Sequence, residues 1–329
     1  MRRRTFVMGA GVAAAAVGVG LHHRAKTPWE APLPPRGTHA KGGGLVYGIA
    51  DRKLFDYRLY DFEGYWLRGP DPRPLVPAGY LSFVGASQTF GRFTERPFAT
   101  QASEALHLPC VNLGWSGAGP GGFANATPLL KLINQSRLLV LQVMAGRSAG
   151  NSLMQNTQGN RTVTYQGERM ISPKAWARVI DDPAIDAHRF WRLVDETRAD
   201  WVAQYQRLLG LIQVPVVLLF LGMNPPITQE DRTRKPKDVT ALMGSHPQLI
   251  TRGMVDIIRP QCAAYVEVVT RRGSPQKLAK SVVMDADGRY EAPPTAFSKV
   301  NGYYPSPEMH DDVAVALTPT VQALIEDPI

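Results

Sequence analysis

Five short apolar runs, at residues 80–86, 110–114, 137–144, 214–221 and 261–269, are separated by longer amphipathic segments. This alternation constrains the chain more than any other feature. Strands buried on both faces read as nearly continuous aliphatic runs, and parallel neighbours need helical crossovers between them. The pattern therefore predicts an α/β domain with helices covering a parallel sheet. The clearest helix starts at His188, where Phe190, Leu193, Val194, Trp201, Tyr205, Leu208 and Leu209 recur at helical spacing. A last helix is expected from Ser306, a good N-cap, with Pro307 in the first helical position and Glu308 suited to the dipole. That placement puts His310 in its first turn.

The chain has 329 residues, 44% hydrophobic and 20% charged, enough to bury a large core. Its net charge of +9 would suggest a nucleic-acid partner were it spread over the body. Residues 1–41, however, hold seven Lys/Arg against one acid, Glu30, and so account for six of the nine charges. The mildly basic remainder gives no reason to expect nucleic acid. Residues 1–26 have export-signal grammar: a basic start, then about 14 apolar or small residues from Val7 to Gly20. Arg3-Arg4-Thr5-Phe6-Val7 resembles a twin-arginine motif, so the expected destination is the periplasm or beyond, with an N-terminal membrane anchor as the alternative. The run is too short for a stable bilayer span. Residues 27–45 read as a Pro/Gly-rich linker, 46–79 as an aromatic N-terminal arm, and 80–329 as the α/β domain. Residues 156–187 and 223–245 read as long insertions near the strand ends, where such domains keep specificity. Cys110 and Cys262 read as two buried thiols, with a single disulfide as the other possibility in an exported protein.

Open α/β sheets bind ligands beyond the carboxyl ends of their strands. Four turns there carry the candidate chemistry: Gly85-Ala86-Ser87-Gln88-Thr89-Phe90-Gly91, "NLGWSGAGPGG" from Asn112, "MAGRSAGNS" from Met144, and "NGYYPSPEMH" ending at His310. In this order they resemble the four blocks of the SGNH (GDSL-type) hydrolase superfamily. More narrowly they look like an uncharacterised bacterial domain family related to it. The resemblance implies a three-layer α/β/α sandwich with a five-stranded, mostly parallel, flavodoxin-like sheet. It also implies Ser87 as nucleophile, a backbone N–H of Gly114 or Gly117 and the Asn151 amide as an oxyanion hole, and an O-acyl ester hydrolase or acyltransferase acting on a carbohydrate or cell-envelope substrate.

The last block departs from that pattern, because Asn301 stands for the triad acid and Tyr304 for the histidine. A phenol titrating near 10 is a poor base at neutral pH, and Asn cannot stabilise an imidazolium by charge. His310, six residues further on, is the expected substitute base, with Arg147 and Tyr304 as substrate contacts. Two alternatives remain open: a non-catalytic glycan-binding protein on a degenerate SGNH site, and a sulfotransferase-like reading of Arg147-Ser148. No Asp or Glu occurs between Glu104 and Glu168, whereas Lys131, Arg137, Arg147 and Arg161 do, which favours an anionic or sugar-derived ligand. Gly117–Gly122 matches G-x-G-x-x-G but lacks the ribose-binding acid, and Pro120 removes an N–H from the phosphate cradle. Walker A, G-x-S-x-G and zinc spacings are absent, so no cofactor or metal is expected.

Overall fold

Strands β1 (Leu81–Gly85), β2 (Cys110–Gly114), β3 (Leu138–Gln142), β4 (Val216–Gly222) and β5 (Ala264–Val269) form one sheet in the order β5-β4-β3-β1-β2, with every pair parallel. This is the flavodoxin-like order, and each strand lies where an apolar run predicts it. The computed structural model describes residues 47, 51, 55–157, 159, 161–279, 283–284, 290–291 and 297–326. The expected export signal and linker lie outside the described residues. The described residues all belong to one compact unit, 34–329.

The helices are α1 (Ser87–Phe90), α2 (Phe98–Leu106), α3 (Pro120–Ala124), α4 (Thr127–Asn134), α5 (Ser172–Asp181), α6 (Ala187–Leu209), α7 (Val239–Met243), α8 (Arg252–Ile258) and α9 (Pro307–Glu326). One sheet face is covered by α3, α4, α6 and α8, the other by α2 and α9. Strand β4 shows why its run is unbroken: Val217, Leu219 and Leu221 enter one core, Leu218 and Phe220 the other. Helix α6 starts as its sequence directs, with the Asp186 carboxylate accepting from Arg189 N–H at 2.7 Å. Ser306 likewise accepts from Met309 N–H at 3.2 Å to start α9.

The stretch 156–187 is more regular than its sequence suggests. Met154–Asn156, Thr162–Tyr165 and Glu168–Ile171 make a three-stranded antiparallel sheet, followed by α5. Strands of three or four residues are too short to display alternation. This insert has a core of its own, in which Val163, Tyr165 and Trp176 pack with Phe190 of α6. Among the described residues, 223–245 contain only the short α7.

The aromatic segment before β1 locks the turn that follows that strand. The Arg68 guanidinium is buried and donates to the carbonyls of Phe90, Gly91, Thr94 and Glu95, while Tyr47 and Tyr57 pack on the Phe90 ring. Beneath Phe90 lies Gly114, where an added Cβ would sit 2.1 Å from the Phe90 nitrogen. Neither backbone can move without dislodging a strand or α1. Gly114→Ala is expected to cost about 3 kcal/mol, read as a lower Tm.

Cys110 and Cys262 are free thiols, and burial raises each to about 11. Cys110 opens edge strand β2 and Cys262 precedes the opposite edge strand β5. Four strand spacings of about 4.8 Å separate those edges, far beyond disulfide reach. Among the described residues, no helix is long and apolar enough to cross a membrane.

Candidate functional site

The turn after β1 places Ser87 in the first position of α1, with Ala86 as the extended N-cap residue. A carboxamide at the end of β3 holds this turn. Gln142 Oε1 accepts from Ala86 N–H at 3.0 Å and from the Thr89 hydroxyl at 2.7 Å. The Gln142 side chain is wholly buried, so the hydrogen bonds fix its orientation and point its NH2 at His246 Nε2, 3.2 Å away. His246 Nε2 is therefore the acceptor and Nδ1 carries the proton.

Ser87 lines a cavity of about 380 Å³ at the carboxyl ends of the strands. Gln88 and Arg92 belong to the same turn, Ser116 and Gly117 follow β2, and Arg147 follows β3. His246 enters from the long segment after β4, Tyr303 and Tyr304 precede α9, Arg161 comes from the insert, and Tyr47 from the preceding arm. No carboxylate is among these lining residues. Asp51 stands behind Arg92 and takes its guanidinium at 2.8 and 3.0 Å, so that cation is neutralised. Arg92 also donates to Tyr304 Oη at 3.0 Å, and Arg147 to Tyr303 Oη at 3.1 Å.

The Ser87 hydroxyl is 2.6 Å from Tyr47 Oη. Burial, with Tyr304 nearby, pushes that phenol up to about 12, so it is neutral at physiological pH. It cannot serve Ser87 as a base. His246 is depressed to about 3, chiefly by burial and then by the Arg147 charge, and is likewise neutral. Gln88 Oε1, also in the cavity wall, is buried and has no hydrogen-bond partner among the described residues.

Of the residues expected from sequence, Ser87, Gly117, Arg147 and Tyr304 meet in this cavity. Three others do not. His310 is wholly buried on the sheet-facing stripe of α9 with Met309, Val313 and Leu317. Its Nδ1 accepts from Phe98 N–H at 3.2 Å, serving the first orphan donor of α2, and its ring stacks on Phe98. Its Nε2 has no partner, so neither nitrogen reaches Ser87, and burial holds it near 3. The Asn151 amide donates to Thr197 and its oxygen accepts from Leu153 and Met154 N–H, so it organises a turn and faces no oxyanion. Gly114 N–H is taken by Asn112 Oδ1 at 2.9 Å, and close packing rather than oxyanion donation explains that glycine. Asn301 is also an organiser: its oxygen accepts from Tyr303 and Tyr304 N–H.

Sequence reasoning missed His246, Gln142, Arg92 and Tyr47. A histidine directly before Pro247 in the segment after β4 was the available signal for the first. The other three carry no local pattern. Among the described residues no group of three or more His, Cys, Asp or Glu side chains could hold a metal ion.

Residues 47–156 and 183–325 match the family profile described as "Domain of unknown function (DUF6473)". No curated protein matches the sequence. Solved structures similar in chain course include an active-site mutant of a family two carbohydrate esterase from Clostridium thermocellum, at 10% identity and TM-score 0.39, spanning 80% of this chain and 68% of that one. A Corynascus thermopiles carbohydrate esterase family 2 enzyme with a carbohydrate binding domain gives 12% identity and TM-score 0.38 over 80% of this chain and 70% of its own. The acetyl xylan esterase Est2A of Butyrivibrio proteoclasticus gives 10% identity and TM-score 0.38 over 81% and 68%.

Proposed function

The chain belongs to the DUF6473 family, and for this member we propose an exported protein that binds an anionic carbohydrate at the Ser87 cavity, on an SGNH-like scaffold without a working serine–histidine pair. The observation that carries this reading is the composition of the cavity wall. It joins the Arg147 and Arg161 cations and three tyrosine hydroxyls to the partnerless Gln88 oxygen, with no lining carboxylate. The arginines suit a carboxylate or sulfate, and the Gln88 oxygen suits a sugar hydroxyl.

A second reading, O-acyl ester hydrolysis or acyl transfer on a carbohydrate, is favoured by one observation: Ser87 stands directly after the interior strand β1, at the start of a helix, where the superfamily keeps its nucleophile. A serine attacks an ester only when a base takes its proton. Here Tyr47 is a neutral phenol, and the hydrogen bond from Gln142 occupies the His246 Nε2 lone pair. A fluorophosphonate probe separates the readings. Mass spectrometry of the treated full-length protein is expected to find no adduct on Ser87; a stoichiometric adduct there would establish the hydrolase and sink the binding reading.

A further inference from the structure

A larger cavity, about 680 Å³, adjoins the one at Ser87 and shares Ser116, Gly117 and Arg161 with it. One wall is the loop after β2, with Trp115 and Asn125, together with Tyr65 of the preceding hairpin. The other wall is the insert, through Thr157, Arg169 and Met170. The family profile passes over residues 157–182, which hold most of that wall and all of α5. The Ser87 turn thus lies within the stretch that the family profile matches, while the second wall lies mostly in the stretch between its two matched segments.

We infer that the insert builds a second saccharide subsite, taking the sugar ring next to the acidic group bound beside Ser87; the inference rests on the binding reading above. Three observations support it. The wall is fixed: Ala118 bridges Gly159, Arg161 O accepts from Ser172 N–H at 2.9 Å, and Trp176 anchors the insert in its own core. Gly117, at φ +70° between the two cavities, faces Arg161 so closely that a Cβ added there would lie 3.1 Å from the Arg161 Cβ. The chemistry also fits an acidic oligosaccharide. Tyr65 and Trp115 form an edge-to-face pair 5.9 Å apart, an aromatic wall for the apolar face of a pyranose. Arg161 and Arg169 add two cations, and no carboxylate lines the cavity. The size is that of a small-molecule site, and the arginines and threonines make it too polar for an acyl chain.

Calorimetric titration of the full-length protein with galacturonate, tetragalacturonate and cellotetraose tests this. Tetragalacturonate is expected to bind at least about tenfold tighter than the monomer and than cellotetraose. Trp115→Ala and Arg169→Glu should each bring the tetramer down to monomer affinity. Trp115 packs on Phe123 and its loss endangers the fold, whereas Arg169 is exposed, so the second variant stands if the first fails to fold. A tetramer that binds no tighter than the monomer, or an Arg169→Glu protein that binds it like the wild type, overturns the subsite and leaves the Ser87 cavity reading intact. Cellotetraose binding as tightly as tetragalacturonate overturns the acidic specificity. If neither uronate binds, both readings fall together.

Discussion

Reversing the charge of Arg147 to glutamate should weaken galacturonate binding about a hundredfold, measured by calorimetry at fixed salt. The guanidinium sits at the cavity wall, held by its bond to Tyr303 Oη, and its own carbonyl accepts from the Trp176 indole. Its charge is felt inside the site, since it helps depress His246. A charge-assisted pair to a carboxylate in a partly desolvated cavity is worth about 2–4 kcal/mol, and reversal adds repulsion. Arg192 is exposed on α6 and does not line the cavity. Arg192→Glu changes net charge equally and should leave Kd within about twofold. An equal loss in both variants would mean that affinity follows overall charge, and the cavity assignment would fail.

Acidification should destabilise the protein between about pH 6.5 and 4 through two histidines outside any salt bridge. His246 and His310 are wholly buried, each held near 3 by desolvation and by the Arg147 or Arg68 charge respectively. In the unfolded chain both titrate near 6.5, so below that pH the unfolded state binds more protons than the native one. The stability from keeping them neutral is complete above about pH 6.5 and is lost as pH falls towards the folded values. Each contributes up to about 1.4 kcal/mol per pH unit in that window. His310→Gln keeps an acceptor for Phe98 N–H and removes one titration, so the fall in Tm from pH 7 to 4.5 should shrink by about half. An unchanged pH slope would show that His310 is already solvated or charged in the native state.

The legible parts of this protein were those that local pattern controls. All five strands of the sheet were visible as apolar runs, because a strand covered on both faces is apolar at most of its positions. Capping chemistry placed α9, since Ser306 and Pro307 act within one turn of chain. The insert sheet was not legible, because strands of three and four residues owe their pairing to Trp176 and α6 rather than to their own sequence. For the site, Ser87, Gly117 and Arg147 were singled out by their place after strands and Tyr304 by its place before the last helix, and all four line one cavity. His246, Arg92 and Tyr47 reach the same cavity from sequence positions that carry no shared motif.

His310 marks where the boundary lies. The sequence by itself determined that it stands in the first turn of a helix, since helix starts depend on neighbouring residues. Which way its ring points is a property of the helix's rotation against the sheet, and the Met309, Val313 and Leu317 stripe turns it inward onto α2. The sequence likewise determined a parallel sheet and a serine at the carboxyl end of its first strand. Only the tertiary structure decided what surrounds that serine, because strand order brings five loops to one edge and burial sets the protonation of what they carry there. Around Ser87 it assembled a neutral phenol, a neutral imidazole and arginines, where the linear order of blocks had suggested a base.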